Sequence, residues 1–175
     1  MVEDNKRIIC TGNPSKETIA KGVKFALPTS EFLYLSKGDD LRLWDDDRRN
    51  AIPNKIKNYN VFINASKICE FGQLQLLNLV YETYSKLEGD FFIINIGSSA
   101  EYQDEFGMYN IEKNALKQRS LQLTNKKIRV SHLTIPGIND GSLEHKNFLP
   151  VEKIGSIIKT ILYSDPFMSL VKLES

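Results

Sequence analysis

Four short segments of this chain are almost wholly apolar, and stretches with helical spacing separate them. Residues 7–11 read Arg-Ile-Ile-Cys-Thr, 61–65 Val-Phe-Ile-Asn-Ala, 91–96 Phe-Phe-Ile-Ile-Asn-Ile and 128–135 Ile-Arg-Val-Ser-His-Leu-Thr-Ile. A strand with one wet face alternates polar and apolar residues. A strand that does not alternate is covered on both faces, which is the habit of parallel sheets. Shorter strands are expected at 31–36, 41–44 and 169–173. Helices are expected at 15–27, on Ile19, Val23, Ala26 and Leu27, with Ser15 or Thr18 as cap, and at 72–87, on Leu76, Leu77, Val80 and Tyr84. Two more are expected at 109–124, on Leu116, Leu121 and Leu123, and at 151–163, on Ile154, Ile157, Ile158 and Ile161.

Strands and helices that alternate from end to end build a doubly wound α/β domain, Rossmann-like, with about six to seven parallel strands and helices on both faces. The 175 residues suit a single domain spanning 1–175. In such sheets ligands bind beyond the carboxyl ends of the strands. Chemistry is therefore expected around Gly12, Lys37, Asp45, Ala65, Ser98 and Gly137.

Composition narrows the function classes. Lys and Arg number 23 and Asp and Glu 22, for a net charge of +1. That balance argues against a dedicated nucleic-acid binder and against a polybasic membrane anchor. No apolar run approaches the roughly 20 residues of a membrane helix, and the charged start lacks the pattern of a signal peptide. Cys10 and Cys69 sit in apolar segments and read as buried thiols. With only His132 and His145 and no Cys/His cluster, no metal site is expected. A cytoplasmic location follows from these features. His132, between Ser131 and Leu133 on a strand, reads as a structural histidine, His145 as a surface residue and Trp44 as packing at a strand end.

Two places can carry chemistry. Thr11-Gly12-Asn13-Pro14-Ser15-Lys16-Glu17-Thr18 leads from the first strand into the first helix. Its backbone amides and the positive helix end suit a dinucleotide pyrophosphate, although Gly12 is the only glycine and an ordinary turn would read the same way. The second place is Tyr109 and Lys113, one helical turn apart on one face. An ammonium close to the phenol favours phenolate and would lower the Tyr pKa, fitting Tyr109 to exchange a proton with a substrate oxygen. The loop Gly97-Ser98-Ser99 leaves the most apolar strand just upstream, where a serine hydroxyl could meet the tyrosine.

The order of these pieces resembles the short-chain dehydrogenases/reductases over about residues 6 to 173. The resemblance rests on Thr11-Gly12, Ile63-Asn64-Ala65-Ser66, Asn95-Ile96-Gly97-Ser98, Tyr109-x-x-x-Lys113 and Pro136-Gly137, with 151–165 as the last helix and its tail. It implies hydride transfer between a nicotinamide cofactor and a carbonyl or alcohol. Tyr109 would be the general acid/base. Lys113 would hold the nicotinamide ribose and lower the Tyr pKa. Ser98, with Ser99 as fallback, would bind the substrate oxygen. Thr11, Gly12, Asn13 and Ser15 would form the pyrophosphate turn, and Asn64, Ala65 and Ser66 would support the adenosine side. Pro136, Gly137 and Ile138 would lie beside the nicotinamide. Lys37, first after the second strand, leans the cofactor to NADP over NAD, and Asp45 could contact adenine or simply face solvent. The resemblance also implies a homodimer or homotetramer that takes a small-molecule substrate.

Departures fall mainly on cofactor binding. Lys16 or Glu17 and Thr18 stand where the family has glycines. The family's catalytic Asn has no clear match: Gly72 or Gln73 falls near it, and Asn78 comes late. The alternative reading is a non-catalytic binding or regulatory protein of the same fold, with a degraded cofactor site.

Overall fold

The computed structural model describes all residues except 1–5, 36–45, 67, 69, 104–106, 140, 142–143, 145–147 and 174–175. Six strands are present among the described residues: β1 (Arg7–Thr11), β2 (Glu31–Leu35), β3 (Val61–Asn64), β4 (Phe91–Ile96), β5 (Ile128–Thr134) and β6 (Leu170–Lys172). They form one sheet in the order β2-β1-β3-β4-β5-β6. Every pairing is parallel. The helices between them are α1 (Ile19–Ala26), α2 (Asp46–Ile56), α3 (Gly72–Ser85), α4 (Met108–Leu123) and α5 (Val151–Tyr163). A doubly wound, Rossmann-like α/β fold is what the apolar strands implied.

The two faces of the sheet carry separate cores. One packs Ile9, Phe62, Ile93 and Val130 against Leu76, Leu77, Val80 and Leu116 of α3 and α4, with Ile52 and Ile56 of α2. The other packs Ile8, Cys10, Ile63, Ile94 and Leu133 against Val23 of α1 and Ile154, Ile158 and Ile161 of α5. On that second face α1 and α5 nearly touch through two glycines. A Cβ at Gly155 would lie 2.0 Å from the Gly22 carbonyl oxygen.

The apolar strands end in polar residues. Asn64 of β3, Asn95 of β4 and His132 of β5 stand side by side in register. All three are fully buried. This polar row underlies the carboxyl ends of the central strands.

Several expectations are corrected. The first helix begins at Ile19 and not at 15, because Asn13 organises the preceding residues into turns: its Oδ1 accepts from the Ser15 amide and its carbonyl from the Lys16 amide. Thr18 is the N-cap residue, but its hydroxyl donates to the Asn13 carbonyl at 2.7 Å and so does not cap the helix. The acidic run does not simply turn, since α2 starts at Asp46. Leu121 is 40% exposed and not in the core. The strand expected at 41–44 lies outside the described residues, as do Lys37, Trp44, Asp45, Cys69 and His145.

Candidate active site

The order of strands reverses between β1 and β3, which opens a crevice beyond their carboxyl ends. Thr11 ties that point together. Its Oγ1 accepts from the amides of Ala65 (2.7 Å) and Ser66 (2.8 Å) and donates weakly to the Ile63 carbonyl. Gly12 follows at φ +127°, a conformation that side-chain-bearing residues rarely adopt.

The turn after Gly12 is more closed than expected. The Gly12 amide donates to the Leu35 carbonyl, and the Ser15, Lys16 and Thr18 amides all donate within the turn. Those amides are therefore engaged, and the expectation that they face a pyrophosphate is corrected. What remains is the start of α1, whose N-cap Thr18 makes no side-chain cap. A helix end left this way keeps its positive dipole available to an anion. By this test the start of α1 fits a pyrophosphate, although most of the turn's own amides do not.

The second part of the site lies beyond β4. Ser98 caps the short 3₁₀ turn Ser99–Tyr102. Its Oγ accepts from the Ala100 amide at 3.3 Å. The Ser98 side chain also lies close enough to the Tyr109 phenol to favour its ionised form. Ser99 points elsewhere: its Oγ donates to the Pro136 carbonyl and its amide to the Ile135 carbonyl. The loop thus brings Ser98, and not its neighbour, to Tyr109. Gly137 lies beneath the Phe148 ring, and Ile138 bridges to Leu149, so 136–138 sit beside the same loop.

Lys113 stands one turn behind Tyr109, its ammonium 5.5 Å from the ring centre. Only 6% exposed, it donates to the side-chain oxygen of Gln73 and, at 3.1 Å, to the Ile96 carbonyl. Gln73 is held in turn: its Nε2 donates to the Asn64 carbonyl at 3.0 Å, while Asn64 Nδ2 donates to the Gln73 carbonyl at 2.9 Å and to Asn95 Oδ1 at 3.0 Å. Asn95 Nδ2 donates to Ser120 Oγ at 3.0 Å. Asn64 therefore supports the site from inside the sheet, since its side chain is buried. A small, shallow pocket borders Tyr109 and Lys113, with Ile68, Phe71 and Leu74 as apolar walls. Phe71 is held in the left-handed region (φ 59°), its amide donating to Glu112 at 3.2 Å.

The expected direction of the Tyr109 pKa is corrected. It lies above the ordinary tyrosine value: burial raises it most, the nearby Ser98 side chain opposes, and Glu101 and Glu112 raise it further. The Lys113 ammonium is turned to Gln73 and the Ile96 carbonyl, and it does not offset that burial.

Sequence reasoning missed two residues, Gln73 as the partner of Lys113 and Glu101 beneath Ser98. Gln73 was named only as a position near the absent Asn. Glu101 was readable from Ser98-x-x-Glu101, the spacing of a capping box, which the structure forms.

No protein-family model and no curated protein matches the chain. Solved structures do. It aligns with a short-chain dehydrogenase/reductase, glucose/ribitol dehydrogenase, from Brucella melitensis at 11% identity and TM-score 0.72, covering 98% of this chain and 95% of that one. It aligns with a short chain dehydrogenase from Burkholderia cenocepacia J2315, solved in complex with NADP, at 10% identity and TM-score 0.74, covering 97% and 96%. A short chain dehydrogenase from Mycobacterium smegmatis aligns at 8% identity and TM-score 0.74, covering 99% and 93%. The fold is that of the short-chain dehydrogenases/reductases.

Proposed function

We propose that this chain is a small NAD(P)-dependent oxidoreductase that moves a hydride between a nicotinamide cofactor and a small carbonyl or alcohol compound, with NADP favoured over NAD. The observation that carries the reading is the placement of Ser98, on the loop after β4, beside the Tyr109 phenol, with Lys113 one helical turn behind it. In the reducing direction Tyr109 gives its phenolic proton to the substrate oxygen, and the Ser98 hydroxyl donates a hydrogen bond to that oxygen. A phenol whose pKa is raised keeps that proton at neutral pH. Lys113 would hold the ribose beside the nicotinamide. The start of α1 would hold the pyrophosphate through its dipole, with the closed turn of Thr11, Gly12, Asn13 and Ser15 leading into it, and Asn64, Ala65 and Ser66 would support the adenosine side. Pro136, Gly137 and Ile138 would flank the nicotinamide, and Lys37 would meet a 2′-phosphate. When bound, the cofactor supplies or accepts the hydride.

The walls Ile68, Phe71 and Leu74 suit the apolar part of a small substrate. Ile111 and Leu121 are exposed on α4, as a homodimer or homotetramer formed through that helix requires. The proposed location is the cytoplasm.

Two observations favour the second reading, a non-catalytic binding or regulatory protein. The amides of the turn after β1 are engaged internally, and the Lys113 ammonium points inward to Gln73. Turnover separates the two. The purified chain is assayed for NADPH- and NADH-dependent reduction across a panel of aldehydes and ketones, beside Tyr109→Phe. The oxidoreductase reading predicts turnover that falls about 10²–10⁴-fold in the variant. A fully active Tyr109→Phe protein refutes the role of Tyr109, and an inactive wild type across the panel favours the second reading.

A further inference from the structure

Directly beneath Ser98 lies a buried acid–base pair that the proposed chemistry does not use. Glu101 is 2% exposed and His132 fully buried. Glu101 Oε1 lies 2.7 Å from His132 Nε2 and accepts from the Ser98 amide at 2.9 Å. Its Oε2 accepts from Thr134 Oγ1 at 3.0 Å, with the Lys117 ammonium 3.8 Å away. The pair presses on the backbone just before Ser98. A Cβ at Gly97 would fall 1.9 Å from Glu101 Oε1 and 2.2 Å from His132 Nε2, so only glycine fits.

A lone carboxylate this deep would take up a proton to escape burial. Here burial does raise the Glu101 pKa, but the His132 contact, then the Ser98 amide and Thr134, outweigh it and leave it below the ordinary glutamate value. The carboxylate is thus an ionised acceptor with every neighbour aimed at it. Charge-assisted bonds of this kind are the stronger ones. The Ser98 peptide hangs from that acceptor, and the Ser98 Oγ takes the Ala100 amide on one side. The same side chain lies beside the Tyr109 phenol.

We propose that Glu101, braced by His132 and Thr134, is a positioning residue that holds Ser98 against the Tyr109 phenol. The proposal rests on reading Ser98 and Tyr109 as the reacting pair, but its test needs neither substrate nor cofactor. The Tyr109 phenol is titrated by NMR in protein carrying ¹³C-labelled tyrosine, with the signal assigned by its loss in Tyr109→Phe. The titration is repeated in Ser98→Ala, in Glu101→Ala and in the double variant. The direct field of Glu101 on Tyr109 is the same with and without the serine hydroxyl, so it cancels in the cycle.

Ser98→Ala raises the Tyr109 pKa in the native background and leaves it nearly unmoved in Glu101→Ala. Glu101→Gln keeps an oxygen for the Ser98 amide and restores most of the serine-dependent shift. Equal Ser98→Ala shifts in both backgrounds overturn the proposal. Should Glu101→Ala not fold, the cycle is run with Glu101→Asp, one methylene too short to reach the Ser98 amide, with the same two outcomes. A wild-type protein that reduces no carbonyl overturns the proposed function and leaves this cycle readable. A carbonyl reductase with an additive cycle overturns the positioning role alone.

Discussion

Lys113 and Gln73, forty residues apart and on different helices, share a buried hydrogen bond from ammonium to amide oxygen. It joins α4 to α3 below the pocket, and it makes Gln73 the residue that sets the direction of the lysine. Asn64 then holds Gln73 from the sheet through two reciprocal bonds.

Gln73→Leu keeps the volume of this side chain but removes its oxygen from Lys113 and its amide from the Asn64 carbonyl. Buried polar groups left without a partner cost about 1–3 kcal/mol. Denaturant unfolding of the variant is predicted to show a loss of that size with an unchanged slope. Wild-type stability in the variant would mean that the lysine does not depend on this bond.

The Tyr109 and Glu101 pKa values move in opposite directions, so they act at opposite ends of the pH scale. Tyr109 lies above its ordinary 10.0, so the folded state favours the protonated phenol. The stability this contributes is complete below pH 10 and declines as pH rises through the folded-state value. Glu101 lies below its ordinary 4.5, so its contribution is complete above that pH and is lost as pH falls through the folded-state value. Thermal melts across pH are predicted to show a smaller alkaline loss in Tyr109→Phe and a smaller acid loss in Glu101→Gln. On the proposed function, alcohol oxidation, which needs the phenolate, continues to accelerate above pH 10. Melting curves parallel to wild type in both variants would contradict the assignments.

The contact of α1 with α5 has no room for a methyl group. A Cβ at Gly155 would sit 2.0 Å from the Gly22 carbonyl, and one at Gly22 would sit 1.9 Å from the Val151 carbonyl. Both obstacles are backbone, so the helices must separate. Gly155→Ala is predicted to cost about 1–3 kcal/mol, or roughly 2–4 °C in Tm for each kcal/mol at this chain length. An unchanged Tm would show that the helices part freely.

Much of the fold was legible because its strands do not alternate. β1, β4 and α5 fall at the residues their apolar patterns set. What escaped did so for physical reasons. α2 carries Pro53 inside it and little amphipathic pattern, so neither its periodicity nor its composition marks a helix. α4 buries Lys113, Lys117 and Ser120 beside Leu116, a polar inner face that a hydrophobic pattern cannot show. The placement of Ser98 on the loop after β4, and of Tyr109 and Lys113 one turn apart on α4, was readable from spacing. Gln73 was not, because it reaches Lys113 from another helix forty residues away. Glu101 was marked only by its capping-box spacing from Ser98.

Calorimetric titration of the folded chain with NADPH, and separately with NADH, tests the central claim most directly, because the altered turn after β1 is where the oxidoreductase reading is most exposed. The account predicts micromolar binding with NADPH tighter than NADH. Failure of both to bind a folded sample would contradict it.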